Sequence, residues 1–332
     1  MKTTISRTAD EIMLCAQLAA ALEVSGHPKP GNVHRTADFP DTRFEDFLAG
    51  SVALGPPIRR VAWRGLLVAS GKAKLNQLQI GRGVRESVDV VARWHKGGNT
   101  HLGAVLLFAP LAAAAGLCGS IDAINSKNLR GNVERSINAT TSEDATDVFE
   151  TISETTPRTL GRLKNDEGRD LLSGSEAQNN VGMTLQEAML YASSWDGIAS
   201  EWATSMEKVF SVGFPTLIEV FVQTRDVNVA IVHTFLTLLW RFPDTFVARK
   251  IGLHETPYIE DAVQVGLEKT KWIAEAAKVA IELGGLETSD GRREVELLDG
   301  KLRSSDGGLN PGTTADLTAG SLLVALLCGW RF

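Results

Sequence analysis

Apolar residues recur along this chain mainly at three- and four-residue spacing, the signature of amphipathic helices packed on a core. Between Thr8 and Val24, the residues Ile12, Ala16, Ala19 and Ala20 fall near one face. The same pattern predicts helices at Thr42–Leu54, Pro57–Ser70, Gly83–Trp94, Asn99–Leu117 and Ser142–Thr151. The second half continues with Thr184–Ala192, Ile198–Val209, Val227–Trp240, Pro257–Leu283 and Thr313–Leu327. Two of these starts carry a capping-box pattern, Thr42-x-x-Glu45 and Thr313-x-x-Asp316. Alternating strand patterns bounded by hairpin turns are nearly absent, and Arg293–Leu298 is the best short-strand candidate. The expected fold class is all-α, a large multi-helix domain.

One segment is apolar all round. Leu102–Cys118 is rich in Ala and Leu, is shorter than the roughly 20 residues that a bilayer span needs, and contains Pro110. It predicts a buried central helix with a kink at the proline. Segment 163–183 is rich in Asn, Asp, Glu, Gly and Ser. It is a mobile loop or a linker, so the chain is one domain or two packed halves, 1–160 and 184–332.

Composition narrows the function classes. Hydrophobic residues make up 43% of 332 positions, enough for a large core rather than disorder. A net charge of -6 and an acidic pI argue against nucleic acid or an anionic membrane as partner. Cys15, Cys118 and Cys328 lie in apolar runs without metal-ligand spacing, which reads as buried thiols in a reducing cytosol. The polar stretch from Met1 to Glu11 has no apolar signal core, and the expected location is cytoplasmic. A homo-oligomer is left open.

Candidate chemistry begins where the first helix stops. Gly26-His27-Pro28-Lys29-Pro30-Gly31-Asn32-Val33-His34-Arg35 has two prolines that stiffen the backbone and a glycine free to take positive φ. A lysine held between prolines would display its ammonium at low entropic cost and suits phosphate; the plainer reading is a turn with an incidental lysine. Asn99-Thr100-His101 opens the apolar helix, where free N–H groups and the dipole favour phosphate, and where Asn99 or Thr100 could equally serve as a cap. A cap needs no imidazole two positions on, so His101 is the candidate for protonating or hydrogen-bonding a leaving group. Glu86 follows Gly81-Arg82-Gly83 and could instead pair with Arg82 four positions earlier.

Three segments in this order, Pro28-Lys29-Pro30-Gly31, Asn99-Thr100-His101-Leu102-Gly103 and Pro311-Gly312-Thr313-Thr314-Ala315-Asp316-Leu317, resemble the motifs of the triphosphoribosyl-dephospho-CoA synthase family. The resemblance runs from about Leu22 to Leu326. It implies an all-α fold and a pentosyl transfer. The 5-triphosphoribosyl group of ATP passes to a ribose hydroxyl of dephospho-CoA, adenine leaves, and Mg²⁺ assists. It further implies that Lys29, Pro30, Gly31, Arg35, Asn99, Thr100 and Arg249 hold phosphate or nucleotide. His101, Asp244 and Glu86 are the implied catalytic residues, and Asp244 and Asp316 the implied metal ligands.

The chain departs from the family pattern at Leu102, where a lysine is usual, at the residues after Gly31, and at Thr313-Thr314, where Gly-Ser is usual. These departures mark a divergent, archaeal-type branch. They keep two alternatives open: phosphoribosyl transfer from phosphoribosyl pyrophosphate in another coenzyme pathway, such as tetrahydromethanopterin synthesis, and a non-catalytic nucleotide-binding scaffold.

Overall fold

The structure is a computed structural model that describes residues 2–155, 161–162, 182–304 and 309–332, with side chains from Ser6 onward. Segment 163–181, and with it most of the expected loop or linker, lies outside the described residues. The first half contains α1 (Lys2–Ser25), α2 (Phe44–Ala53), α3 (Gly55–Ala69), α4 (Ile80–Ala92), α5 (Leu102–Leu117), α6 (Ser126–Asn138) and α7 (Ser142–Thr155). The second contains α8 (Leu185–Ala192), α9 (Gly197–Ala203), α10 (Phe214–Thr224), α11 (Val227–Arg241), α12 (Thr245–Gly252), α13 (Ile259–Glu282), α14 (Ser289–Ser304) and α15 (Gly312–Leu327). Among the described residues there is no sheet, only isolated bridges such as His34–Ala37 and Arg162–Tyr258. The fold is all-α.

The centre is α5, buried at every position except Gly103. It runs through Pro110 from Leu102 to Leu117 without interruption. The missing proline N–H leaves the Leu106 carbonyl without its helical donor, and the Trp202 indole N–H fills that place at 3.0 Å. Helices α1, α3, α4, α6 and α15 pack around it. Where α3 crosses α5, Gly65 faces Gly116, and a Cβ on either would strike the other helix's backbone. The last helix belongs to the same apolar core as the first, since Ile12, Leu107, Leu238 and Leu323 fall in one cluster. A second cluster joins α11, α13 and α14 through Phe235, Ile273 and Leu298.

Several sequence expectations change. Arg293–Leu298 is not a strand but the middle of α14, because Val295, Leu298 and Leu302 bury one helical face. The Thr42-x-x-Glu45 box is displaced by one residue: Arg43 precedes α2 and its N–H donates to Asp46 at 2.8 Å. The Thr42 hydroxyl donates instead to the Gly97 carbonyl at 3.1 Å. The second box also fails, since α15 starts at Gly312 and the Thr314 N–H donates to Asp244.

Candidate active site

A cavity of about 270 Å³ lies where helix ends converge. Its walls come from the C-terminal part of α1 (Ala20, Glu23), the start of α5, helices α7, α8 and α9, one face of α12 and the start of α15. Part of the lining is apolar, with Phe149, Ile152, Met189, Ala192, Trp195 and Leu106. The rest includes Glu23, Asn32, Asn99, Thr100, His101, Asp196, Arg249, Asn310, Thr313 and Asp316. The first turns of α5 and α15 both contribute, so two positive helix ends face the same space.

His101 directly precedes α5 and is only 4% exposed. Its ring packs on Phe47 with centroids 5.4 Å apart, and it rests against Gly50, where a Cβ would collide with the imidazole. The Thr100 hydroxyl meets His101 Nδ1 at 2.7 Å. Asn99 is the cap: its Oδ1 accepts the Leu102 N–H at 3.0 Å. Burial, helped by the nearby His95, pushes the His101 imidazole down to about 3, so the ring is neutral near pH 7.

Asp316, just past the first turn of α15, reaches across to α5. Gly103 makes room for it, since a Cβ there would overlap the carboxylate. Burial raises the Asp316 carboxyl well above the usual carboxylate range, and the neighbouring Glu23 and Asp244 raise it further. The Ala104 N–H, which bonds it, pulls weakly the other way. Arg249 supplies the cavity's positive charge. Its guanidinium stacks on Phe246 at 5.4 Å and stands 4.0 Å from Asp196 Oδ2. Asp196 Oδ1 is already committed, capping α9 through the Ile198 and Ala199 N–H groups at 2.9 Å.

Asn99, Thr100, His101, Arg249 and Asp316 therefore meet in one cavity. The other expected site residues do not line it. Lys29 is not displayed. It is fully buried, ion-paired with Glu23, and 6.0 Å from the Phe235 ring. Burial pushes the Lys29 ammonium down and the Glu23 carboxyl up, and their mutual attraction opposes both shifts. Pro30 and Gly31 shape the loop behind it. Gly31 has φ +70°, and its N–H donates to Asp299 at 2.8 Å. Arg35 binds His27 Nδ1 at 2.6 Å and Asn228 at 3.1 Å, near the surface.

Glu86 sits between Arg60, at 2.7 Å, and Arg82, at 2.9 Å. That is the alternative pairing, and it holds Glu86 away from the cavity. Asp244 is a cap and a tether: Oδ1 accepts from Phe246 and Val247, both at 3.0 Å, and Oδ2 accepts the Thr314 N–H at 2.7 Å and its hydroxyl at 2.8 Å. With both oxygens so used, Asp244 does not fit a metal. Among the described residues no group of three or more His, Cys, Asp or Glu side chains comes together as a metal site. Glu23, Asn32 and Asp196 were not among the expected site residues. Asn32 carried a signal, directly after Pro30-Gly31, and its amide donates to the Pro311 carbonyl at 3.1 Å.

A cavity with a largely apolar lining, a few polar groups and two strongly perturbed ionisable side chains is the layout of a small-molecule enzyme. Residues 9–331 match the family model described as CitG, ATP:dephospho-CoA triphosphoribosyl transferase. The chain therefore belongs to this transferase family. It also resembles a crystal structure from Archaeoglobus fulgidus, a proposed triphosphoribosyl-dephospho-CoA synthase, with a TM-score of 0.57 and 27% identity over 87% of this chain and 100% of that one. No curated protein matches the sequence. Among the described residues, no helix is long and apolar enough to cross a membrane.

Proposed function

We propose that this cavity transfers the triphosphoribosyl group of ATP to a ribose hydroxyl of dephospho-CoA, with Asp316 as the proton carrier and His101 as a hydrogen-bond donor to the departing adenine. The observation that carries the reading is the buried carboxyl of Asp316, whose surroundings favour its protonated form, in one cavity with a neutral histidine where two helices begin. In the transfer the C1′–N9 bond of the nucleoside breaks and a C1′–O bond forms. Adenine must gain one proton and the acceptor hydroxyl must lose one. A carboxyl group whose burial favours its protonated form gives the first and, once ionised, takes the second. The ionised form also faces the oxocarbenium-like charge that develops at C1′.

The triphosphate enters a space that already holds Glu23 and Asp196, against Arg249. Polyanion binding there calls for additional positive charge. Mg²⁺ fits as an ion carried by the triphosphate, because it commonly takes one or two carboxylates and completes its shell with phosphate and water. Asp196 Oδ2, the oxygen not used in capping, is the carboxylate that would meet it. Bound there, the ion would neutralise phosphate charge. The helix ends of α5 and α15 add their dipoles.

The test is direct. Purified protein with ATP, Mg²⁺ and dephospho-CoA should release adenine and yield an adduct heavier by the triphosphoribosyl group. Asp316→Asn should keep the fold and lower kcat by at least about a hundredfold, the usual worth of a positioned acid-base group. ATP binding without adenine release would favour the scaffold reading and sink this one.

A further inference from the structure

His101 does not stand alone. A hydrogen-bonded chain leads to it from the loop between α4 and α5. The Gly97 N–H donates to His95 Nδ1 at 3.2 Å. His95 Nε2 meets the Thr100 hydroxyl at 3.1 Å, and the same hydroxyl meets His101 Nδ1 at 2.7 Å. We infer that His95 is a positioning residue: through Thr100 it fixes His101 as the tautomer that carries its proton on Nε2.

The direction of each bond follows from donor counting. A backbone N–H can only donate, so His95 Nδ1 must accept and carries no proton. A neutral His95 then has its one proton on Nε2, and the Thr100 oxygen is the atom that accepts it. Thr100 has a single hydroxyl hydrogen, and it points to the remaining neighbour, His101 Nδ1. That nitrogen is an acceptor too, which leaves the His101 proton on Nε2. Among the described residues no protein group meets Nε2, and the ring lines the cavity. The Nδ1 edge is turned to Gly50 and Thr100, so Nε2 is the nitrogen available to a ligand. Burial that keeps the ring neutral makes the tautomer matter, because a protonated ring would donate from both nitrogens.

The consequence is a sign. Fixed this way, His101 donates a hydrogen bond into the cavity and cannot act as a base there. It suits a lone pair, such as that on a purine ring nitrogen from which negative charge must be drawn as the base leaves. The catalytic meaning of this arrangement rests on the pentosyl-transfer reading, but the tautomer itself does not.

Two-bond ¹H–¹⁵N correlation spectra of histidine-labelled protein read the tautomer directly. His101→Gln assigns the resonances among the 6 histidines. In the wild-type protein His101 should show a protonated Nε2 and an unprotonated Nδ1. Thr100→Ser should preserve that pattern, whereas Thr100→Val and His95→Phe should shift it towards a tautomer mixture. With ATP as donor, His95→Phe should lower kcat by about tenfold and leave KM within about twofold, as loss of an outer orienting group does. A wild-type His101 protonated on Nδ1 would overturn the inference, as would an unchanged tautomer in Thr100→Val. A changed tautomer in His95→Phe with unchanged kcat would overturn the positioning role. The expected tautomer in a protein that releases no adenine would support the hydrogen-bonded chain and remove the transfer reading alone.

Discussion

At the scale of single residues, Lys29 shows how burial redirects a side chain. The Pro28-Lys29-Pro30 sequence stiffens the loop as its residues suggest, but the ammonium points inward to Glu23, which itself forms part of the cavity wall. Lys29 therefore supports the site from behind. An isolated carboxylate in this position would be costly, and an ion pair removed on one side only leaves such a group. Lys29→Met should cost about 3–5 kcal/mol in urea unfolding. The double variant Lys29→Met/Glu23→Gln should recover most of it, because no charge is then left unpaired. If the single variant unfolds at the wild-type urea concentration, the pair is not what holds the end of α1 to this loop. Other residues behave as their surroundings dictate: His233 on α11 is a core histidine whose Nε2 accepts the Leu286 N–H at 2.9 Å.

At the scale of elements, the site depends on how helix ends are tied together. Asp244 caps α12 and binds α15 through Thr314, so one carboxylate sets the spacing between Arg249 and Asp316. Asp244→Ala should cost about 2–4 kcal/mol, since it removes a cap and leaves buried donors without a partner. It should also raise KM for ATP by displacing Arg249. Thr314→Val should lose less, and the two effects should not add in a double-mutant cycle. Additive losses would mean that the tether between α12 and α15 carries no energy. Long helices with a sustained apolar face were legible in the sequence. Examples are α1, α11 and α13, and α5 and α15 were legible as apolar runs. Short α8 was also legible, from the capping pattern at Thr184, but α6, α10 and α12 were not: α12 has 8 residues and reads locally as a turn followed by charge. The polar surface of α14 obscured its buried Val295, Leu298 and Leu302, so period three lost to an apparent strand. Within the site, Asn99, Thr100, His101 and Asp316 were legible because each sits in a motif at a helix start. Glu23 and Asp196 were not, because their place depends on which distant helix ends meet. Of the two partners of Glu86, Arg82 was legible as a neighbour one helical turn away, whereas Arg60 on another helix is invisible to spacing along the chain.

At the scale of the whole molecule, the fold holds histidines uncharged inside it, and this makes its stability sensitive to acid. Burial and the surrounding cations Arg303, Lys29, His27 and Arg35 push the His34 imidazole down to about 3. His101 is held equally low. In the unfolded chain both titrate near their ordinary value of about 6.5. The unfolded state thus takes up protons that the folded state refuses, and the stability contributed by each group is lost as pH falls from about 6.5 towards 3. Between pH 7 and pH 5 the loss is about 2 kcal/mol per histidine. Asp316 and Glu201 act in the opposite sense. Burial raises both carboxyls, so their contribution is full below the ordinary carboxylate value and declines as pH rises through their folded values. The net profile mixes the two, and comparing variants separates them. The stability drop between pH 7 and pH 5 should be smaller by about 2 kcal/mol in His101→Gln than in the wild type, and smaller again in His34→Gln/His101→Gln. Asp316→Asn should instead flatten the loss on the alkaline side. Equal drops in the wild type and in both histidine variants would mean that these rings take up protons without unfolding. In that case His101 would face the cavity charged, with both nitrogens donating, and the neutral, single-donor ring would be lost.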